Sequence, residues 1–249
     1  MESQNDTGVG GGEMKVLGAW ASPFVLRVRV ALHLKGLVDY EYVEQDLAEK
    51  SELLVACNPV HKKVPVLLHA GKPVCESMLI VEYLDDAFPG AGRAFLPADP
   101  HARAVARFWA AYIDGQLLSS WLAIHATTTE EEKADAVART LAAVDALEGA
   151  LAEAERSGGK GWFGGESEGF VDIALGGFVP AIQASEPSTG LRIVDPARNP
   201  RLAAWVERFC ALDAARAAMP TVDRLVEMGK KRIAEQETVS AAGEGRHMN

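Results

Sequence analysis

Cysteine is scarce in this chain: three residues in 249, Cys57, Cys75 and Cys210, with no C-x-x-C pair among them. An odd number leaves at least one thiol without an internal partner, so a reducing compartment is the simpler setting. Positive charge is also short, with 25 Lys and Arg against 35 Asp and Glu and a formal net charge of -10. That balance argues against broad adsorption to nucleic acid or to an anionic membrane, while leaving room for a local cationic pocket. No window approaches the roughly 20 apolar residues that a membrane span needs. Residues 1–13 are polar and glycine-rich, without the basic start and apolar stretch of a secretory signal. The expectation is a cytoplasmic protein that binds neither membrane nor nucleic acid.

Motifs for several chemistries are missing as well. There is no G-x-G-x-x-G, no phosphate-binding G-x-x-x-x-G-K-[ST] and no H-E-x-x-H, and Ser22 has no G-x-S-x-G around it. Gly10-Gly11-Gly12 precedes the first candidate strand instead of following it, and His61 and His69 form no ligand set with nearby cysteines or acids. No nucleotide cofactor and no metal are assigned.

What is present is an ordinary globular composition, 48% hydrophobic and 24% charged, in a chain long enough for one or two domains. Lys15 to Trp20 is a short apolar run stopped by Ala21-Ser22-Pro23, and Phe24 to Leu34 then carries apolar residues at helical spacing. Tyr40, Tyr42 and Val43 make a second strand candidate, and Lys50 to Lys63 suits an irregular segment with room for one helical turn. Val64 to His69 and Pro73 to Cys75 flank Ala70-Gly71-Lys72 as a hairpin, and Ser77 to Phe88 reads as a helix. After a connection through Phe95-Leu96-Pro97-Ala98-Asp99-Pro100 the character changes. Helices are expected over His101 to Ala126, Glu130 to Glu155, Phe170 to Ala184 and Arg201 to Leu212, with Gly158 to Gly169 as a packed turn. The order is an alternating α/β unit, residues 14–90, a linker 91–100 and a helical unit 101–231. An extension 1–13 and a polar tail 232–249 flank them.

Ser22, at a strand-to-helix junction, is placed to donate its O–H to the sulfur of a bound thiol. A hydrogen bond to the charged form is enough to lower an acid's pKa, and a shift of about two units corresponds to about 2.7 kcal/mol. Serine before proline at a helix start is equally an ordinary cap. Val64-Pro65 opens a strand either with a cis bond that exposes the Val64 backbone to an extended peptide or with a trans bond at a sheet edge. Glu76 and Ser77 can take the ammonium and carboxylate of a zwitterionic ligand end, or simply cap a helix. Lys50, Lys62 and Lys63 bracket the same groove as mobile point charges or as solvated surface lysines.

These residues sit in blocks that resemble the plant tau class of glutathione S-transferases. They are Trp20-Ala21-Ser22-Pro23-Phe24, Arg27-Val28-Arg29-Val30-Ala31-Leu32, Asn58-Pro59-Val60-His61-Lys62-Lys63-Val64-Pro65-Val66-Leu67, Gly71-Lys72-Pro73-Val74-Cys75-Glu76-Ser77, Phe108-Trp109-Ala110-Ala111-Tyr112-Ile113-Asp114 and Gly169-Phe170-Val171-Asp172-Ile173-Ala174. The resemblance runs over nearly all of residues 14 to 231. It implies a thioredoxin-like domain with a four-stranded mixed sheet followed by an all-α domain, in a cytosolic homodimer. It further implies an enzyme that conjugates glutathione, as cosubstrate, to hydrophobic electrophiles in detoxification.

By the same resemblance Ser22 stabilises the glutathione thiolate, Lys50 and Lys63 hold the glycyl carboxylate, Val64 supplies backbone bonds beside a cis Pro65, and Glu76 with Ser77 anchors the γ-glutamyl end. Trp20, Phe24, Arg27, Trp109 and Tyr112 are candidates to border the electrophile pocket, with core packing as the alternative. Asp172 is expected to act in structure, near a helix start where Gly169 cannot supply the side chain of a full capping box. Peroxide reduction by the same sulfur is a secondary expectation, and hydrophobic ligand transport with little turnover is the competing one.

Overall fold

The computed structural model of the protein describes residues 13–231, so the expected extension (apart from Glu13) and the polar tail 232–249 lie outside the described residues. Four short strands form one mixed sheet: β1 (Met14–Gly18), β2 (Glu41–Glu44), β3 (Val66–His69) and β4 (Lys72–Cys75), in the order β2-β1-β3-β4. β1 pairs in parallel with β2 and antiparallel with β3, and β4 closes a hairpin on β3 with Val66 opposite Cys75. Val16, Leu17, Val66 and Leu67, on the two central strands, are fully buried. Such strands read as continuous apolar runs because both sheet faces are covered. Pro73 lies in the edge strand β4, where the missing N–H costs no ladder bond to a further strand.

Helices α1 (Pro23–Leu34) and α3 (Ser77–Ala87) pack on the sheet, and the six-residue α2 (Glu52–Cys57) sits in the segment read as mostly irregular. Past residue 99 the described chain is helical apart from its turns. α4 (Pro100–Tyr112) runs through a π-helical stretch, Ile113–Leu118, into α5 (Ser119–Ala126). The 27-residue α6 (Glu130–Arg156) starts with a complete capping box between Thr129 and Glu132 and buries Ala136, Thr140, Ala143, Leu147 and Leu151 at helical spacing. α7 (Phe170–Gly176), α8 (Val179–Thr189), α9 (Pro200–Ala211) and α10 (Asp213–Ala218) follow, and residues 222–231 are helical. The architecture is therefore a thioredoxin-like mixed-sheet domain followed by an all-helical one.

One helix expectation is corrected. Phe170 to Ala184 is two helices, not one, broken at Gly177 and Phe178. A Cβ at Gly177 would lie 2.4 Å from the Pro23 carbonyl oxygen and 2.7 Å from Arg27 Cγ, so the break lets the helical domain touch the first turn of α1.

The link between domains is fastened by charge. The Asp85 carboxylate accepts from the Phe95 and Leu96 amides at 2.8 and 3.1 Å and meets Lys35 Nζ at 2.8 Å, both side chains nearly sealed from water. The Phe170 amide in turn donates to the Phe95 carbonyl at 3.0 Å, tying α7 to the linker.

A second carboxylate organises the helical domain. Asp172, fully buried, accepts from Phe163 N (3.1 Å), Gly164 N (2.9 Å), Gly169 N (2.9 Å) and Trp205 Nε1 (2.7 Å). Only the acidic arm of a capping box exists, as glycine at 169 dictates, and the other bonds fold the glycine-rich turn onto α7 and α9. Burial raises the Asp172 carboxyl from 3.8 to about 6 against the pull of these donors. With the folded value above the unfolded one, folding takes up a proton between about pH 4 and 6. The associated stability is present at low pH and is lost as pH rises through about 6, on the order of 3 kcal/mol. Melting curves of the wild type should show this slope, and those of Asp172→Asn should lack it. Asp172→Ala leaves four donors unmet and should cost about 3–5 kcal/mol at neutral pH by denaturant unfolding.

Candidate active site

Ser22 is the N-cap of α1, with φ −79° and ψ 121°, and Pro23 occupies the first helical position. Its Oγ accepts from the Val25 amide at 3.4 Å, while its own amide donates to the Ala19 carbonyl at 2.9 Å. A hydroxyl has two lone pairs and one hydrogen, so accepting from Val25 leaves the O–H free to point outward. Capping and donation to a ligand are compatible duties of one oxygen. The positive end of the 12-residue α1 reinforces any anion held there.

Ser77 opens α3 and is buried, and its Oγ accepts from Arg27 Nη1 at 3.2 Å, which again leaves the hydroxyl hydrogen unspent. Glu76 joins β4 to α3 with φ 71° and ψ 118°, a left-handed region that costs a non-glycine residue about 1–3 kcal/mol. This conformation leaves the Glu76 carboxylate exposed, 3.9 Å from His61 Nε2. The Val64-Pro65 peptide is cis, with Pro65 buried and Val64 half-buried immediately before β3.

Asn58, 3% exposed, escaped the sequence reading. Its Nδ2 donates to the Lys63 carbonyl (3.0 Å) and its Oδ1 accepts from the His61 amide (3.1 Å), so one side chain shapes the whole 58–63 loop. The pair Asn58-Pro59 signals a turn in sequence, and the tertiary job of the amide is invisible there. Lys50 and Lys63 are exposed, and neither side chain has a partner among the described residues. Ser51 beside Lys50 caps α2 through Leu54 N and donates to Gln45 Oε1 at 2.6 Å, which fixes where that lysine leaves the surface.

The five aromatic and arginine candidates do not converge on one cavity. Trp20 donates its amide to Glu44 (3.0 Å) and carries the Arg224 guanidinium 3.7 Å from its ring centre. Trp20, Ser22, Pro220 and Leu225 line a small void of about 20 Å³ at the start of α1. Phe24 packs edge-on to Phe178 at 5.9 Å. Trp109 and Tyr112 are T-stacked on α4 at 5.3 Å, and Trp109 lines a separate cleft of about 860 Å³ between α4, α6 and the glycine-rich turn. That larger cleft does not include Ser22.

Arg27 is a correction: it lines neither the cleft at Trp109 nor the void at Ser22. Its side chain is fully buried, with Nε donating to the Ala174 carbonyl (2.8 Å), Nη1 and Nη2 to the two Asp114 oxygens (3.0 and 2.5 Å), and its guanidinium between the rings of Phe24 and Phe178. Its four hydrogen bonds join α1, α3, α7 and the π-helical stretch, and full burial keeps the guanidinium out of reach of a substrate.

Sequence profiles describing the N-terminal and C-terminal domains of glutathione S-transferases match residues 12–86 and 130–208. A probable glutathione S-transferase, GSTU6 of Oryza sativa subsp. japonica, is 54% identical over 88% of this chain and 93% of its own length. Glutathione S-transferase U17 of Arabidopsis thaliana is 45% identical over 88% and 95%. The crystal structure of the tau-class enzyme MiGSTU from mango superposes with a TM-score of 0.83 at 42% identity, covering 89% of this chain and 99% of that one. Rice OsGSTU1, solved in complex with glutathione, gives 0.80 at 36% identity, over 91% and 99%. The chain belongs to the plant tau class of glutathione S-transferases.

This tau-class transferase conjugates glutathione, its cosubstrate, to electrophiles. Among the described residues no group of three or more His, Cys, Asp or Glu side chains is placed to hold a metal ion. No described helix is long and apolar enough to cross a membrane.

Replacing Arg27 by Lys in this transferase keeps a charge but loses the planar fork. Because Asp114 is 39% exposed and partly screened, the expected cost is about 2–3 kcal/mol, below that of a sealed pair. Urea unfolding measures it. A loss of less than about 0.5 kcal/mol, the range of an ordinary surface change, would remove Arg27 as the joint between domains.

Proposed function

We propose that Ser22 holds the sulfur of bound glutathione as a thiolate by donating its hydroxyl hydrogen, and that the thiolate attacks the electrophilic carbon directly. The observation that carries this reading is the Ser22 Oγ at the N-terminus of α1, its acceptor side engaged by Val25 N. No proton leaves the serine and no enzyme-bound covalent intermediate forms. The site contributes proximity and a lowered thiol pKa. Val64 offers backbone bonds to the cysteinyl part beside cis Pro65, Glu76 and Ser77 receive the γ-glutamyl end, and Lys50 and Lys63 draw in the glycyl carboxylate. The exposed, unpaired lysines and the pre-oriented Ser77 hydroxyl support those assignments. Trp20 and Phe24 remain the candidates on the Ser22 side for contact with an apolar electrophile, with Tyr112 and Trp109 reached only from α4. Reduction of organic hydroperoxides follows from the same activated sulfur, and the protein acts in the cytoplasm.

Ser22→Ala removes the donor but keeps the helix. Ultraviolet titration of bound glutathione should then show the thiol midpoint rise by about two units toward the free value, with kcat/KM for an aryl halide falling about 100-fold at neutral pH. An unchanged midpoint in a folded variant would defeat the assignment.

The enzyme works as a homodimer in this reading. Leu79 on α3 and Phe108 on α4 are 58% and 59% exposed, and the Glu82–Arg107 ion pair joins the same two helices. Exposed apolar side chains on two helices tied together by charge suit a self-complementary contact. Phe108→Glu is expected to convert a dimer to a monomer on size-exclusion chromatography, and a dimer that survives the change at micromolar concentration excludes this face.

A further inference from the structure

Two cysteines that the transferase chemistry leaves unused meet at the base of the candidate glutathione groove. Cys75 ends β4, and its Sγ lies 3.6 Å from the carbonyl oxygen of Cys57, the last residue of α2. Both side chains are half-buried free thiols, packed on one small cluster with Leu17, Leu54 and Val66. Each stands next to one arm of the groove. Asn58, which follows Cys57, fixes the 58–63 loop through the Lys63 carbonyl and the His61 amide, and Glu76, which follows Cys75, leaves the strand at φ 71°. Across the mouth His61 and Glu76 face each other at 3.9 Å.

We propose that Cys57 and Cys75 form an oxidative modification site, closed to a disulfide by organic hydroperoxides and locking the two arms of the groove together. The Cys57 thiolate attacks the hydroperoxide, breaking the O–O bond to give a Cys57 sulfenic acid and an alcohol. The Cys75 sulfur then attacks the sulfenic sulfur and expels water. Two thiols lose two electrons and two protons, and the hydroperoxide leaves as alcohol plus water. The first attack falls to Cys57 because burial foremost, with the Glu76 carboxylate and the Cys57 thiol next, holds the Cys75 thiol above its ordinary range. A disulfide needs the two Cβ atoms about 3.5–4.5 Å apart, and the Cys75 Sγ already lies 3.6 Å from the Cys57 carbonyl oxygen, at the end of a six-residue helix, with both side chains on one cluster. The bond would hold the arms at the separation where His61 and Glu76 pair, so a ligand that must enter between Glu76 and the 58–64 loop is hindered.

The covalent step stands on the contact between the cysteines, whereas its effect on glutathione rests on the proposed reading of Glu76 and Val64. The test treats the purified enzyme with tert-butyl hydroperoxide in the absence of glutathione, removes the oxidant and then measures thiols, intact mass, peptide map and kinetics. Titratable thiols should fall from three to one, Cys210 remaining, with loss of two hydrogens and a linked Cys57–Cys75 peptide. The KM for glutathione should rise about fivefold or more, with recovery on adding dithiothreitol. Cys57→Ser and Cys75→Ser should each form no such link and keep their KM through the same treatment. Three surviving thiols, a link through Cys210, or a linked enzyme with unchanged KM would each overturn the proposal. A reduced wild type that fails to conjugate would strike the reading of Ser22, while the thiol count and peptide map would still decide the cross-link.

Discussion

The guanidinium of Arg27 is the constraint on which the rest of the molecule is arranged. A fully buried cation must find partners in the protein, because desolvation without them costs several kcal/mol. Here the partners come from three directions: the Asp114 carboxylate from the π-helical stretch, the Ala174 carbonyl from α7, and the Ser77 hydroxyl from α3. Satisfying one side chain thereby fixes the helical domain against the sheet domain. The same bonds set Ser77 relative to Ser22, five residues before Arg27 on the chain and one turn away on α1. The π-helical stretch also has a reason in this arrangement. A residue's worth of extra winding between α4 and α5 turns Asp114 toward Arg27, and such insertions are tolerated where a specific side chain must be aimed.

Two further buried charges repeat the device. Lys35 and Asp85 hold the linker at Phe95, and Asp172 gathers the glycine-rich turn, α7 and α9 around one carboxylate. Apolar packing is non-directional, so it explains why the two domains adhere but not why they adhere in one orientation. Arg27 supplies that direction between the domains, while the other two anchors fix the linker and the glycine-rich turn. The longest reach is that of Arg27, which bonds Ala174 across 147 positions.

Sequence alone reveals local features well and remote ones poorly. The central strands show as short apolar runs, α6 shows Ala and Leu at helical spacing, and Pro23 after Ser22 marks a helix start, because each signal is contained within a few residues. The break between α7 and α8 is not legible in this way. Gly177 is required by Pro23 and Arg27, which lie more than 140 positions earlier, and nothing near residue 177 announces that contact. The role of Arg27 is hidden for the same reason: an arginine in an apolar helix stands out, but periodicity gives its face and not its partner. Asn58 shows the complementary failure, in which a turn signal hides a side chain that builds the loop from inside.

The two serines of the candidate site show why capping and ligand binding should not be weighed as rivals. A hydroxyl that accepts a bond from within the fold is held in one rotamer by that bond, and its hydrogen is then directed into a narrow range of positions. Ser22 is held by the Val25 amide and Ser77 by the Arg27 guanidinium, so each donor is oriented before any ligand arrives. Pre-orientation matters because an interaction paid for during folding need not be assembled again at the moment of binding. A side chain with only one hydrogen-bonding face could serve the helix or the ligand. Serine at a helix start has the donor and the acceptor to serve both, which is how a residue that looks structurally ordinary in the sequence comes to stand at the candidate centre of the chemistry.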